Sequence, residues 1–185
     1  MGQPVNLMKT RGRLLTILIG IAVAAGGIVL ANQFLLQMPM NQVIASDSRN
    51  AGIVVSTRYA NYVNPKVLVF DVRNVSANNS EADVFRVLLQ YAEKMQSTTF
   101  DEVELVCQGQ PKFTIRGDYF QKLGKEYSWQ NPVFTARTFP ENVLTADGQP
   151  AYGNWQGGFI GVTLKQLDDF TDFHKKWWKS QLFPN

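Results

Sequence analysis

The chain has 185 residues, 45% of them hydrophobic and 12% aromatic, enough apolar material for one packed domain and too much for a disordered chain. Its formal charge of +3 and pI near 9.0 originate in the tail: Lys9, Arg11 and Arg13 precede the first apolar stretch, and the other fifteen Lys/Arg are balanced by fifteen Asp/Glu from Asp47 onward. A formally neutral domain offers phosphate no net basic surface, so nucleic acid is not an expected partner; a single Cys and a single His exclude an intrachain disulfide and a two-His metal site, and no cofactor or metal is expected.

Residues 1–13 read as a basic tail and residues 14–36 as a transmembrane helix. No charge falls between Leu14 and Leu36, and the core LLTILIGIAVAAGGIVLA is compatible with a helix. About 20 apolar residues at 1.5 Å each cross a hydrocarbon layer of about 30 Å. Lys9, Arg11 and Arg13 just before the span are the topology signal, placing the N-terminus in the cytoplasm and the rest outside it, in the periplasm of a Gram-negative cell. A cleaved secretory signal is the rival reading, with Val29-Leu30-Ala31 as its cleavage site; the apolar run exceeds the usual h-region of about 7–15 residues, which favours an uncleaved signal anchor. Gly20, Ala24 and Gly27 form a small-residue stripe of the kind that lets two membrane helices approach closely. The lipid bilayer and one or more protein partners of a membrane complex are therefore the expected partners.

Residues 37–50 read as a linker and residues 51–185 as a single extracytoplasmic domain. Ile53–Tyr62 and Lys66–Val72 are predicted strands, separated by the turn signal Asn64-Pro65. Ser80 and Asp83 open a helix whose apolar face is Val84, Leu88, Tyr91 and Met95. Asp101–Cys107 and Lys112–Arg116 form a predicted hairpin, and the lone Cys107 reads as a buried, inert thiol. Asp118 caps a short helix with the stripe Phe120, Leu123, Tyr127. Val133–Thr138 is a predicted strand, the stretch from Phe139 to about Gln156 a loop, and Thr163 to Trp178 a final helix. The fold expected is α+β: an N-terminal transmembrane helix, then one small domain in the order ββα-ββα-β-α, with a mainly antiparallel sheet and helices packed on one face.

The glycine-rich stretch Gly153–Gly161 superficially resembles a phosphate cradle, but Val162-Thr163 follows where a P-loop needs Lys-Ser/Thr, so it reads as a turn presenting Trp155. Asp168 and Asp172 share a helix face, which reads as a solvated acidic surface. His174 has no Gly-x-Ser-x-Gly elbow to serve. Near the C-terminus, Trp177, Trp178 and Phe183 interleave with lysines and read as contacts to a partner, to a membrane surface or to the domain's own core; adjacent tryptophans diverge by about 100° on a helix, so one of the pair is free to anchor something else.

These features predict a non-catalytic, membrane-anchored extracytoplasmic interaction or assembly domain, a subunit or accessory of a larger envelope complex. One alternative is a tethered ligand-binding module with residues 139–161 as a lid. Another is an enzyme of unrecognised type, which would need ionisable residues, some of Arg116, Arg137, Glu141 and Asp168, to converge in a cleft.

Overall fold

The computed structural model describes residues 7–184; the side chains of residues 7–15 and of residue 159 are outside that description. Helix α1 (Leu7–Asn32) contains Lys9, Arg11 and Arg13, whose side chains thus lie outside the described residues. Among the described residues one helical run, Thr16–Ser46, is long and apolar enough to cross a membrane. From Thr16 to Ala31 it is exposed on all sides.

The helix does not stop where the apolar run ends. It passes through a wide π-turn, Gln33–Gln37, into α2 (Met38–Ser46), so the segment 37–50 read as a linker is helix for most of its length and closes with a 3-10 turn at Ser48–Asn50. Pro39 explains the wide turn. It has no N–H to donate and its ring crowds the carbonyl four residues back. A π-turn immediately before it absorbs the mismatch, with the Met38 N–H donating to the Gln33 carbonyl. The turn also directs Leu36, Met40 and Val43 into the domain core, where all three are buried. Each such side chain contributes about 1.5–3 kcal/mol.

The sheet runs β1 (Ile53–Ala60), β2 (Asn64–Val75), β3 (Glu102–Cys107), β4 (Gln110–Arg116) and β5 (Val143–Thr145), in that spatial order. Three of the pairings are antiparallel, and β2 with β3 is parallel. The expected hairpins β1–β2 and β3–β4 are present. The connection between them is α3 (Glu81–Lys94), a crossover that returns the chain to the end where β2 began, so that β3 pairs with β2 in parallel.

Alternation along β2 and β3 sends Leu68, Phe70, Val72, Val103, Leu105 and Cys107 to the face covered by α2, α3, α4 (Gly117–Glu126) and the C-terminal helix. The opposite face holds a small cluster of Ala60, Val69 and Val106, to which no helix contributes. Ser80 caps α3 through a reciprocal capping box with Asp83, as its sequence suggests. Gly124 of α4 lies so close to α3 that a Cβ there would stand 2.2 Å from the Ala92 carbonyl oxygen.

Two elements depart from expectation. The predicted strand Val133–Thr138 is helix α5 (Pro132–Thr138): the Asn131 side chain accepts from the Val133 and Phe134 N–H groups, and Pro132 follows at the first helical position. Such a cap outweighs the β-branched content of the run. The fifth strand is Val143–Thr145, inside the segment read as loop. There Thr145 and Asp147 close a tight turn and the chain doubles back to pair Leu144 with Pro150. Helix α6 (Phe159–His174) then continues through a second π-turn, Lys175–Lys179, to α7 (Ser180–Leu182).

Candidate interaction surface

Two features stand out from the packed core. The first is the joint between the long helix and the sheet. β1 is an edge strand, and an uncovered edge presents unpaired N–H and C=O groups. Here two carboxamides from the helix cover it. Asn32 Oδ1 accepts from the Tyr59 N–H at 2.7 Å, and its Nδ2 donates to the Tyr62 carbonyl at 2.8 Å. One wide turn later, Gln37 Oε1 accepts from the Thr57 N–H at 2.7 Å while Nε2 donates to the Val55 carbonyl at 3.1 Å. Tyr91, buried in α3, donates its hydroxyl to the Leu36 carbonyl at 3.2 Å, tying the same turn to the core.

The second feature is a cleft of about 620 Å³ between α3, α5 and α6. Phe85, Leu89, Leu123, Val133, Leu167 and Phe170 form much of its wall. Around it the apolar surface continues outward: Trp129, Val133, Phe134, Ile160, Leu164 and Leu167 are all exposed. Ile160, Leu164 and Leu167 recur at helical spacing along one side of α6, while Gln166, Phe170 and Phe173 are buried on the other. Helix α5 buries none of its residues. This is an apolar stripe pointing away from the core, and such surfaces mark interaction sites.

The polar groups at the rim are committed to holding the fold. The Arg86 guanidinium bonds Asp83 at 2.8 Å, the Asn50 side chain at 3.2 Å and the Arg49 carbonyl at 3.0 Å, clamping α3 to the end of the long helix. Arg49 pairs with Asp47 at 2.7 Å, and its hydrogen bonds hold the Asp47 carboxyl far below the usual carboxylate range. Burial pushes the Asp83 carboxyl up, but hydrogen bonds from Ser80 and Arg86 outweigh it and leave the group more acidic than usual.

The sequence-predicted residues are scattered. Gly20, Ala24 and Gly27 lie on the exposed part of α1, and a Cβ at Gly20 or Gly27 would meet nothing within 4 Å. Trp155 is partly exposed but clasped to α6, its indole N–H donating to Asp169 at 2.6 Å with Lys165 Nζ 4.3 Å above its ring. Trp177 and Trp178 are both fully buried, and neither is available to a membrane or a partner. The π-turn and a chain of aromatic contacts account for this. Trp177 packs on Phe70 and Phe173 and donates to the Val106 carbonyl at 3.2 Å, while Trp178 donates to His174 Nδ1 at 2.8 Å. Phe183 remains half exposed against the Trp178 ring.

His174 is buried among Phe85, Phe170 and Phe173, and desolvation drives its pKa down to about 3, so the imidazole is neutral. Arg116 pairs with Asp118 in solvent, Arg137 bonds Thr163, Glu141 accepts from Gln166, and Asp168 is exposed; none of the four lines the cleft. No residue of 139–161 lines it either. Among the described residues, no group of three or more His, Cys, Asp or Glu side chains is placed to hold a metal ion.

Sequence reasoning missed the α5–α6 surface because it read α5 as a strand. The helix signal Asn131-Pro132 was present in the sequence. Comparisons with protein-family models, with curated proteins and with solved structures returned no match.

Proposed function

We propose that this chain is a single-pass membrane protein whose domain acts as a non-catalytic docking subunit of a membrane complex. The N-terminus is cytoplasmic and the domain extracytoplasmic, a reading supported by Lys9, Arg11 and Arg13 ahead of the apolar run. The observation that carries the docking role is the outward-facing stripe Ile160, Leu164, Leu167 beside Val133 and Phe134 at the mouth of an apolar cleft. A partner's amphipathic helix or apolar loop is the kind of element such a cleft takes, by the helix-in-groove mode of recognition. The membrane helix holds that surface in a set orientation, because Leu36, Met40 and Val43 are part of the domain core. Gly20, Ala24 and Gly27 offer a second contact, to a partner helix within the bilayer.

A photo-crosslinking amino acid placed at Phe134 or at Leu164 in native membranes tests this. Each position should yield one discrete adduct, and both adducts should be lost on Leu167→Asp. Adducts indistinguishable from those of a probe at exposed Gln149 would refute the docking role.

The cleft also supports a second reading, a binding module for an apolar small molecule, since its volume falls in the range of about 300–1,000 Å³ common for ligand pockets. In that reading α5, not the 139–161 segment, is the movable wall. A ligand retained through purification and released on unfolding, with no protein adduct at Phe134 or Leu164, would favour it.

A further inference from the structure

The β1–β2 hairpin ends in an exposed apolar tip, and its position relative to the helix is fixed by bonds. Asn32 Nδ2 donates both to the Ile28 carbonyl of its own helix at 2.9 Å and to the Tyr62 carbonyl at the tip at 2.8 Å. The tip is therefore fastened to the helix at residues 28–32. Immediately below that point Ile28, Val29 and Leu30 are exposed and apolar, as is the rest of the helix back to Thr16. At 1.5 Å per residue, the stretch 14–31 rises about 27 Å, close to the thickness of a hydrocarbon layer. If the helix crosses a bilayer, as the functional reading above requires, Asn32 and the hairpin tip lie at its boundary.

The composition of the tip suits that depth. Tyr62 and Val63 are more than half exposed, a tyrosine and an aliphatic residue side by side at the most prominent point of the turn. The Arg58 guanidinium lies 5.1 Å from the centre of the Tyr62 ring, and Lys66, largely exposed and paired with Asp101 at 3.3 Å, follows on the next strand. A tyrosine flanked by cations matches the headgroup layer, where an amphipathic ring and a positive charge are both well solvated.

The backbone adds weight. Asn61 and Tyr62 adopt φ of 50° and 64°, with Val63 N–H bonded to the Ala60 carbonyl across the turn. Three residues separate the paired Ala60 and Asn64, and two of them lie in the left-handed region that favours glycine. A tyrosine there is strained, and a strained residue at an exposed tip suggests that the side chain, not the turn, is what is needed.

We infer that Tyr62 and Val63 insert into the lipid interface beside the emerging helix, giving the domain a second attachment to the membrane that sets its tilt. The occupant of this surface is lipid. A second contact at the interface, displaced laterally from the helix, restricts the tilt of helix and domain together.

The test uses the full-length chain in phosphatidylcholine–phosphatidylglycerol vesicles, with a fluorophore attached at Val63→Cys, Leu30→Cys or Gln149→Cys and nitroxide lipids as quenchers. The unsubstituted chain, whose Cys107 is buried, is the labelling blank, and a single label per variant, with Cys107 unlabelled, reports an intact fold. Leu30 should be quenched best by nitroxides deep in the acyl chain. Val63 should be quenched best by shallow ones, about threefold more than Gln149, as expected for burial of about 5–10 Å into the interface. Quenching at Leu30 with none at Val63 beyond that of Gln149 would overturn the hairpin insertion and leave the membrane span standing. No quenching at Leu30 would overturn the span, and the hairpin inference with it. Shielding of Val63 from aqueous quencher without lipid quenching would place a protein partner on the tip instead and also overturn the inference. If Val63→Cys disturbs the turn, Tyr62→Cys gives the same readings one residue away.

Discussion

Replacing the two carboxamides that cover the sheet edge should loosen β1 without dismantling the domain. Asn32→Leu removes the acceptor of the Tyr59 N–H and the donor to the Tyr62 carbonyl, and Gln37→Met does the same for the Thr57 N–H and the Val55 carbonyl. Both substitutions keep an apolar side chain of similar size, so the loss is chiefly that of hydrogen bonds. A buried backbone group left without a partner costs about 1–3 kcal/mol. Asn32 is 5% exposed, which puts its substitution toward the upper part of that range. Gln37 is only partly buried and water can replace some of what is lost, so about 1 kcal/mol is expected there. Since 1.4 kcal/mol is about a tenfold change in an equilibrium, the combined loss of about 3–4 kcal/mol should make opening of the Thr57 and Tyr59 amides on the order of a few hundredfold more frequent in the double variant. Amide hydrogen exchange of the detergent-solubilised chain reads this directly, with β3 and β4 amides as internal controls. Unchanged protection at Thr57 and Tyr59 would refute the argument that the helix completes the edge strand. An equal loss of protection in β3 and β4 would show that the substitutions act globally and not at the edge.

Further outcomes follow from other parts of the core. His174 is neutral in the folded state with its pKa lowered to about 3 by burial, against about 6.5 when unfolded; the stability this contributes is complete above pH 6.5 and is lost as pH falls toward 3. Urea titrations of His174→Gln should lack that component of the decline between pH 6.5 and 4, which in the unsubstituted chain is on the order of 1.4 kcal/mol per pH unit. Cys107 is fully buried, with its thiol pushed up to about 11 by desolvation, so it should resist thiol reagents at neutral pH until the chain is unfolded by denaturant. Gly124→Ala should destabilise the domain by about 1–3 kcal/mol in thermal or urea unfolding, because its Cβ would strike the Ala92 backbone, which cannot move aside as a flexible side chain could.

Much of the fold was legible because its signals are local. The charge-free run before Leu36, the capping box at Ser80 and Asp83, and the alternation along β3 each follow from periodicities of a few residues. What escaped depends on contacts remote in sequence. Residues 38–46 carry Pro39, Asn41 and Ser46 and pass for a linker, and they are helical because Met40 and Val43 find a core assembled from strands further along the chain. The parallel pairing of β2 with β3 is a consequence of the α3 crossover and not of either strand's composition. Residues 133–138 combine β-branched side chains with a helix cap, and the cap decides. The tryptophans were conspicuous as residue types, yet a π-turn that cannot be read from residue spacing carries both into the core. The exposed stripe on α6 has the same periodicity as a buried one, so sequence alone could not tell Leu164 from Phe173.

By their contacts with each other, the long helix and the domain form one rigid body, not a domain on a flexible tether. Spin labels at Leu30→Cys and Gln149→Cys, in the full-length chain reconstituted in vesicles, measure this through the distribution of distances between them. A single narrow distribution is predicted, because Asn32, Leu36, Gln37, Met40 and Val43 lock the intervening helix to the sheet and core. A broad distribution spread over tens of ångströms, as expected of a flexible linker, would contradict it.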